Sequence, residues 1–72
     1  MKHKLVICVD NAGYEASLEK RKLYIKLADK EAEHHAQTRV IDESGEDYLF
    51  PSSFFVDVTL PKETEEAVLS AA

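Results

Sequence analysis

Residues 45–60 read GEDYLFPSSFFVDVTL and carry four of the six Phe and Tyr residues of a 72-residue chain. Gly45 closes the polar run Asp42-Glu43-Ser44 and is placed to take a positive φ, so Thr38–Ile41 and Tyr48-Leu49-Phe50 pair as a hairpin over residues 38–50. Pro51-Ser52-Ser53 breaks the return strand with a tight turn. In the strand that follows, Val56, Val58 and Leu60 share one face, and Phe55, Asp57 and Thr59 share the other. The alternation assigns Phe50 and Phe54 to the core and leaves Phe55 as an outward ring.

The same pattern extends toward the amino end. Leu5-Val6-Ile7-Cys8-Val9 is a continuous run of β-formers, which predicts a strand buried on both faces. Asp10-Asn11-Ala12-Gly13 ends it, and residues 10–20 form a long polar loop that includes Tyr14 and Leu18. Lys22–Leu27 alternates, with Leu23, Ile25 and Leu27 expected inward and Lys22, Tyr24 and Lys26 outward. KEAEHHA, residues 30–36, is long enough only for a helical turn within a loop. Pro61 ends the last strand, and the segment from Lys62 onward is expected to be a short helix with Glu63, Glu65 and Glu66 at its positive end. Five short strands in so small a chain close most economically into a partly closed barrel, expected over residues 1–61, with a helical tail over 62–72.

The order of strand, long polar loop, strand, loop, hairpin, short turn, strand resembles SH3-like barrels. The closest local likeness is GEDYLFPSSFFV, similar to the SH3 segment in which a Gly-containing hairpin returns through Tyr, an apolar residue and Pro, followed by one 3₁₀ turn, an aromatic and Val. In that likeness Phe50 takes the apolar position, Pro51 the proline, Ser52 and Ser53 the turn, and Val56 the core valine, with one extra residue in the turn. Leu18 and EKRKLYIKL resemble the diverging turn and second strand, where Arg21 stands at a position commonly held by Gly. The fold class this implies is mainly β: a five-stranded SH3-like partly closed barrel with a 3₁₀ turn before the last strand and a short C-terminal helix. VDNAGYEAS, KLY and RVIDESGEDYLFP also resemble a group of small, stand-alone bacterial proteins without an assigned function. Peptide-binding SH3 domains dock polyproline II ligands on several aromatics. This chain has no Trp, and Cys8-Val9-Asp10-Asn11 replaces the aromatic end of the first strand.

Composition narrows the function classes. A domain of this length buries only about 60% of the surface of its unfolded chain, leaving no room for an enzyme-sized internal cavity. The longest apolar run is too short to span a bilayer or to form a signal-peptide core, and a single cysteine fits a reducing compartment; the expectation is a cytoplasmic protein. The net charge of −5 opposes general binding to phosphate backbones. Residues 1–30 hold seven Lys/Arg against four Asp/Glu, and residues 31–72 hold two against ten.

No pattern of catalytic residues emerges. Asp42, Glu43, Glu46 and Asp47 crowd a hairpin turn, but counting from Asp42 puts Asp47 and Ser53 where a calcium loop needs Gly and Glu. His34 and His35 are adjacent and point about 100° apart on a helical turn, so they do not chelate one ion together. His3 and Cys8 lack the spacing of a zinc site. Cys8 lies in an apolar strand without an evident base. No enzymatic activity, cofactor or metal is expected. The leading expectation is a non-catalytic module binding another protein or peptide through Tyr14, Tyr24, Pro51 and Phe55. The alternative is a nucleic-acid-binding barrel that uses Lys20, Arg21, Lys22 and Lys26, with Tyr24 interleaved for base stacking. A minor third reading is an acidic accessory or inhibitory protein acting through Asp42–Asp47.

Overall fold

The computed structural model describes residues 4–71; Lys2 and His3, the latter weighed above as a zinc ligand, lie outside them. Five antiparallel strands, β1 (Lys4–Cys8), β2 (Leu23–Leu27), β3 (Gln37–Ile41), β4 (Asp47–Pro51) and β5 (Phe55–Val58), form one sheet in the order β4-β3-β2-β1-β5. A short helix α1 (Lys30–His34) joins β2 to β3, a 3₁₀ turn (Ser52–Phe54) joins β4 to β5, and helix α2 (Lys62–Ser70) follows β5. No helix among the described residues is long and apolar enough to cross a membrane.

The hairpin register runs from Gln37↔Pro51 to Ile41↔Asp47, and Gly45 holds φ +84° in the turn. β2 divides its partners. Leu23 to Lys26 pair with β1, whereas only Lys26 and Leu27 pair with β3, so the sheet changes direction along β2. β4 and β5 remain edge strands and the sheet is not closed between them. The 3₁₀ turn spans that gap, fixed by Ser52 N–H donating to the Ala36 carbonyl at 2.9 Å and by a 2.7 Å hydrogen bond between the Thr38 and Ser52 hydroxyls.

One face of the sheet carries Val6, Cys8, Tyr24, Val40 and Phe50. Leu18 from the first loop and Phe54 from the 3₁₀ turn complete this core, and Phe55 packs against it. Leu18 is fully buried, and a leucine taken wholly from water contributes about 2 kcal/mol. The Asn11 side-chain amide holds the loop's return by donating to the Leu18 carbonyl at 2.9 Å.

The observed faces of β2 and β5 reverse the expected ones. Tyr24 is 5% exposed and lies in the core, while Leu23, Ile25 and Leu27 are half-buried on the opposite face. On β5, Val56 is 53% exposed, and Phe55 turns toward the core cluster. The reason lies in β1. Val6 pairs across the sheet with Tyr24 and Asp57, and Cys8 with Phe55, so these residues share the face onto which the first loop folds. β1 is apolar on both sides and β2 alternates apolar residues with Lys-Tyr-Lys, so alternation alone does not reveal which face the loop covers. Most of the second face, including Ile7, Leu23, Ile25 and Val58, is also apolar and half-buried. Helix α2 presents Glu65, Val68 and Leu69, half-buried at i, i+3 and i+4, on one side.

Two non-glycine residues occupy left-handed backbone, Arg21 (φ 69°) and Ala36 (φ 56°). Arg21 N–H donates to the Cys8 carbonyl at 2.7 Å in the corner leading into β2, and Ala36 follows the end of α1, where Gly is the usual residue. The left-handed region costs an L-residue about 1 kcal/mol. Arg21→Gly and Ala36→Gly are therefore each expected to stabilise the fold by roughly 0.5–1 kcal/mol, less the entropy that Gly adds to the unfolded chain. A lower urea midpoint for both variants would show that neither position is strained.

Candidate interaction groove

The first loop and the β3–β4 hairpin enclose a groove of about 360 Å³. Tyr14, Tyr48 and Phe50 supply its aromatic surface, Leu49 borders it, and Ser17, Asp42 and Ser44 form its polar side. Tyr14 is 43% exposed and Tyr48 49%, while Phe50 at their base is 3% exposed. The Tyr14 ring meets Phe50 edge to face at 5.2 Å between centroids and Phe54 at 5.8 Å. Aromatic pairs of this geometry hold each other in orientation, so Tyr14 is a supported ring with one accessible side. The Tyr14 backbone is also anchored, its N–H donating to the Asn11 carbonyl at 2.8 Å and its carbonyl accepting from Ser17 N–H at 2.9 Å.

The polar wall is stiffened by the hairpin turn. Asp42 is buried, and its Oδ1 accepts from Ser44 N at 2.8 Å and from Ser44 Oγ at 2.5 Å. Tyr48 Oη donates to Glu46 at 3.3 Å. The Glu46 charge, followed by that hydrogen bond, raises the Tyr48 phenol above its ordinary pKa.

Beneath the loop–hairpin junction lies a second set of contacts. Glu19 N–H donates to Tyr24 Oη at 2.8 Å, and Tyr24 Oη donates to Glu43 Oε2 at 2.5 Å. Lys22 Nζ reaches Glu43 at 2.6 Å and lies 5.7 Å from the centre of the Tyr24 ring. Glu43 N–H donates to the Ser17 carbonyl at 3.1 Å. Burial, and secondarily the Glu43 carboxylate, pushes the Tyr24 phenol well above its usual range. Lys22 and then Tyr24 hold the Glu43 carboxyl below the ordinary carboxylate range.

Of the four residues expected to bind a partner, Tyr14 lies in the groove. Phe55 does not; it is half-buried, 6.3 Å from the Phe50 ring and 6.4 Å from the Phe54 ring, and it lines a different cavity. Pro51 is half-buried at the end of β4, opposite Gln37. Tyr24, expected outward, is a core residue: its phenol finds partners inside, and these fix its side of the strand. Consequently no aromatic interleaves with Lys22 and Lys26 on an outward face. Lys20 and Arg21 are exposed, Lys22 is paired with Glu19 and Glu43, and Lys26 lies 3.7 Å from Asp57. Tyr48 and Leu49 were not singled out by sequence. The available signal was the hairpin register, which sets Tyr48 opposite Val40 and Leu49 opposite Arg39. Cys8 is fully buried, its thiol raised above its ordinary pKa by that burial. No protein-family model, curated protein or solved structure matches this chain.

Tyr24→Phe is expected to cost about 1–2 kcal/mol, because the Glu19 N–H and the Glu43 carboxylate both lose a partner. Glu43 has a lowered folded pKa, so its contribution is present above the unfolded value of about 4.3 and disappears as pH falls through the folded value. The stability gap between wild type and Glu43→Gln should thus be full at neutral pH and shrink on acidification. Urea unfolding across a pH series measures it, and a gap that does not change with pH contradicts the assignment.

Proposed function

We propose that this chain is a non-catalytic interaction module of SH3-like architecture that grips a short segment of another protein in the groove between the first loop and the hairpin. The observation that carries this reading is that two accessible tyrosines, Tyr14 and Tyr48, line one groove with the buried Phe50. Supported aromatic rings with a polar hydroxyl are the side chains that contribute most at protein interfaces, since they lose little rotamer entropy on binding. Asp42 lines the groove, and Glu46 lies beside it in the same hairpin turn, whereas Glu43 is paired with Lys22 and Asp47 with Arg39. An apolar side chain accompanied by Lys or Arg complements that surface. The SH3-like reading is supported by the five antiparallel strands and by the 3₁₀ turn before the last of them. A cytoplasmic setting and a bacterial source belong to the same reading and rest on the sequence features that suggested them.

Selection from a library of short peptides, followed by titration of the selected sequences, tests the proposal. Enrichment of peptides that combine an aromatic or aliphatic residue with Lys or Arg is expected. Tyr48→Ala should weaken their binding at least about tenfold and leave the melting temperature unchanged, as this ring is half exposed. Failure to enrich any peptide, or equal binding by Tyr48→Ala, overturns the reading.

A further inference from the structure

A separate cavity of about 290 Å³ lies on the Val6 face of the sheet. Val6 and Thr38, both buried, line it together with Phe55 and Ser52, and Lys26, Glu33 and Asp57 bring charge to it. Lys26 and Glu33 also line a smaller hollow of about 140 Å³ that includes Lys4. The volume is at the lower limit for small-molecule sites.

The register makes this place electrostatically unusual. Lys4 and Lys26 are direct cross-strand partners on the Val6 face of β1 and β2. Like charges directly opposite one another destabilise a strand pair. The Lys26 side chain is only 20% exposed, which limits screening, and its nearest carboxylate oxygen, on Asp57, is 3.7 Å away, beyond hydrogen-bond distance. Neither ammonium donates a hydrogen bond among the described residues. Alongside, the Thr38 and Ser52 hydroxyls share one hydrogen bond at 2.7 Å, which leaves one O–H proton to donate elsewhere. The cavity and its adjoining hollow thus gather the Lys4 and Lys26 ammoniums, one free hydroxyl proton, the carboxylates of Glu33 and Asp57, and the apolar surfaces of Val6 and Phe55.

We propose that this cavity binds a free α-amino acid with an apolar side chain. The ligand carboxylate takes the Lys4 and Lys26 ammoniums and the free hydroxyl proton, which relieves the like-charge pair. The ligand ammonium takes Glu33 and Asp57, and the side chain lies against Phe55 and Val6. A simple anion leaves two carboxylates facing it, and a simple amine leaves two ammoniums facing it. A zwitterion meets both signs, and the four protein charges sum to zero, matching a ligand of zero net charge. Phe55, expected from sequence to face a partner, becomes the apolar wall of this site. The proposal is independent of the groove, with which the cavity shares no lining residue.

The test is a titration of the isotope-labelled full chain with leucine, leucinamide and N-acetylleucine, followed by amide NMR shifts. Leucine is expected to give saturating shifts at Val6, Lys26, Ser52 and Asp57, with a Kd on the order of 1 mM. Leucinamide, lacking the carboxylate, and N-acetylleucine, lacking the ammonium, should each bind at least about tenfold more weakly. Lys26→Met should lose leucine binding to the same extent. Glu33→Gln, at an exposed helix position, provides a second variant that retains the fold, and it should do likewise. Absence of saturation by about 20 mM leucine, equal binding of either blocked analogue, or full binding by Glu33→Gln overturns the proposal.

Discussion

The Tyr24 hydroxyl ties three parts of the chain together: the first loop, β2 and the hairpin turn. It accepts from the backbone of the first loop at Glu19 and donates to Glu43 at the hairpin turn, from a side chain rooted in β2. Glu43 in turn receives Lys22 and donates its backbone N–H to Ser17. The chain has a single cysteine, so no internal disulfide assists. A long polar loop loses considerable conformational entropy when it lies down on a sheet. One phenol satisfied on both sides keeps it there and places Leu18 over the core. It also places Tyr14 against Phe50, so the groove's shape descends from a hydrogen bond made beneath it.

A comparable clasp works on the other face of the hairpin. Asp29 caps α1 through Ala32 N–H at 3.0 Å and also accepts from Arg39 Nε at 2.9 Å, while Arg39 reaches Asp47 at 2.9 Å. The Ala32 amide and then Arg39 hold the Asp29 carboxyl below its ordinary range. One aspartate thereby fixes the start of a five-residue helix, too short to persist alone, to the middle of β3 and the start of β4. Partly exposed ion pairs contribute little individually. Here the value is geometric, since α1 carries Glu33 over the mouth of the second cavity.

The elements were legible in the sequence, whereas their faces were not. Gly45, Pro51 and Pro61 punctuate the chain strongly enough that the hairpin, the 3₁₀ turn and the last helix fall close to where their residue types place them. Phe50 and Phe54 are buried as expected. The inversion of β2 and β5 has one cause: a sheet apolar on both faces carries no internal mark of which face a loop will cover. Tyr24 was misplaced because it alternates with Leu23, Ile25 and Leu27, and the partners that satisfy its hydroxyl, Glu19 and Glu43, lie 5 and 19 residues away. The groove was half visible in Tyr14. Tyr48 and Leu49 became part of it only through a pairing register that composition does not encode. The cavity beside Phe55 brings together Val6, Lys26, Thr38 and Asp57 from four strands, a relation that appears only once the strands are paired.

The sheet order has a consequence for how the molecule comes into being. β1, apolar on both faces, has β5 as one of its two neighbours, with Leu5 opposite Val58. During synthesis the first strand leaves the ribosome long before that neighbour exists, and it waits with one side unpaired while β2, β3 and β4 assemble largely through contacts nearer in sequence. Docking β5 closes the longest loop in the fold, the kind of step that slows folding most. Of the strands in this sheet, Leu5–Cys8 is therefore the one whose unpaired edge waits longest for its neighbour.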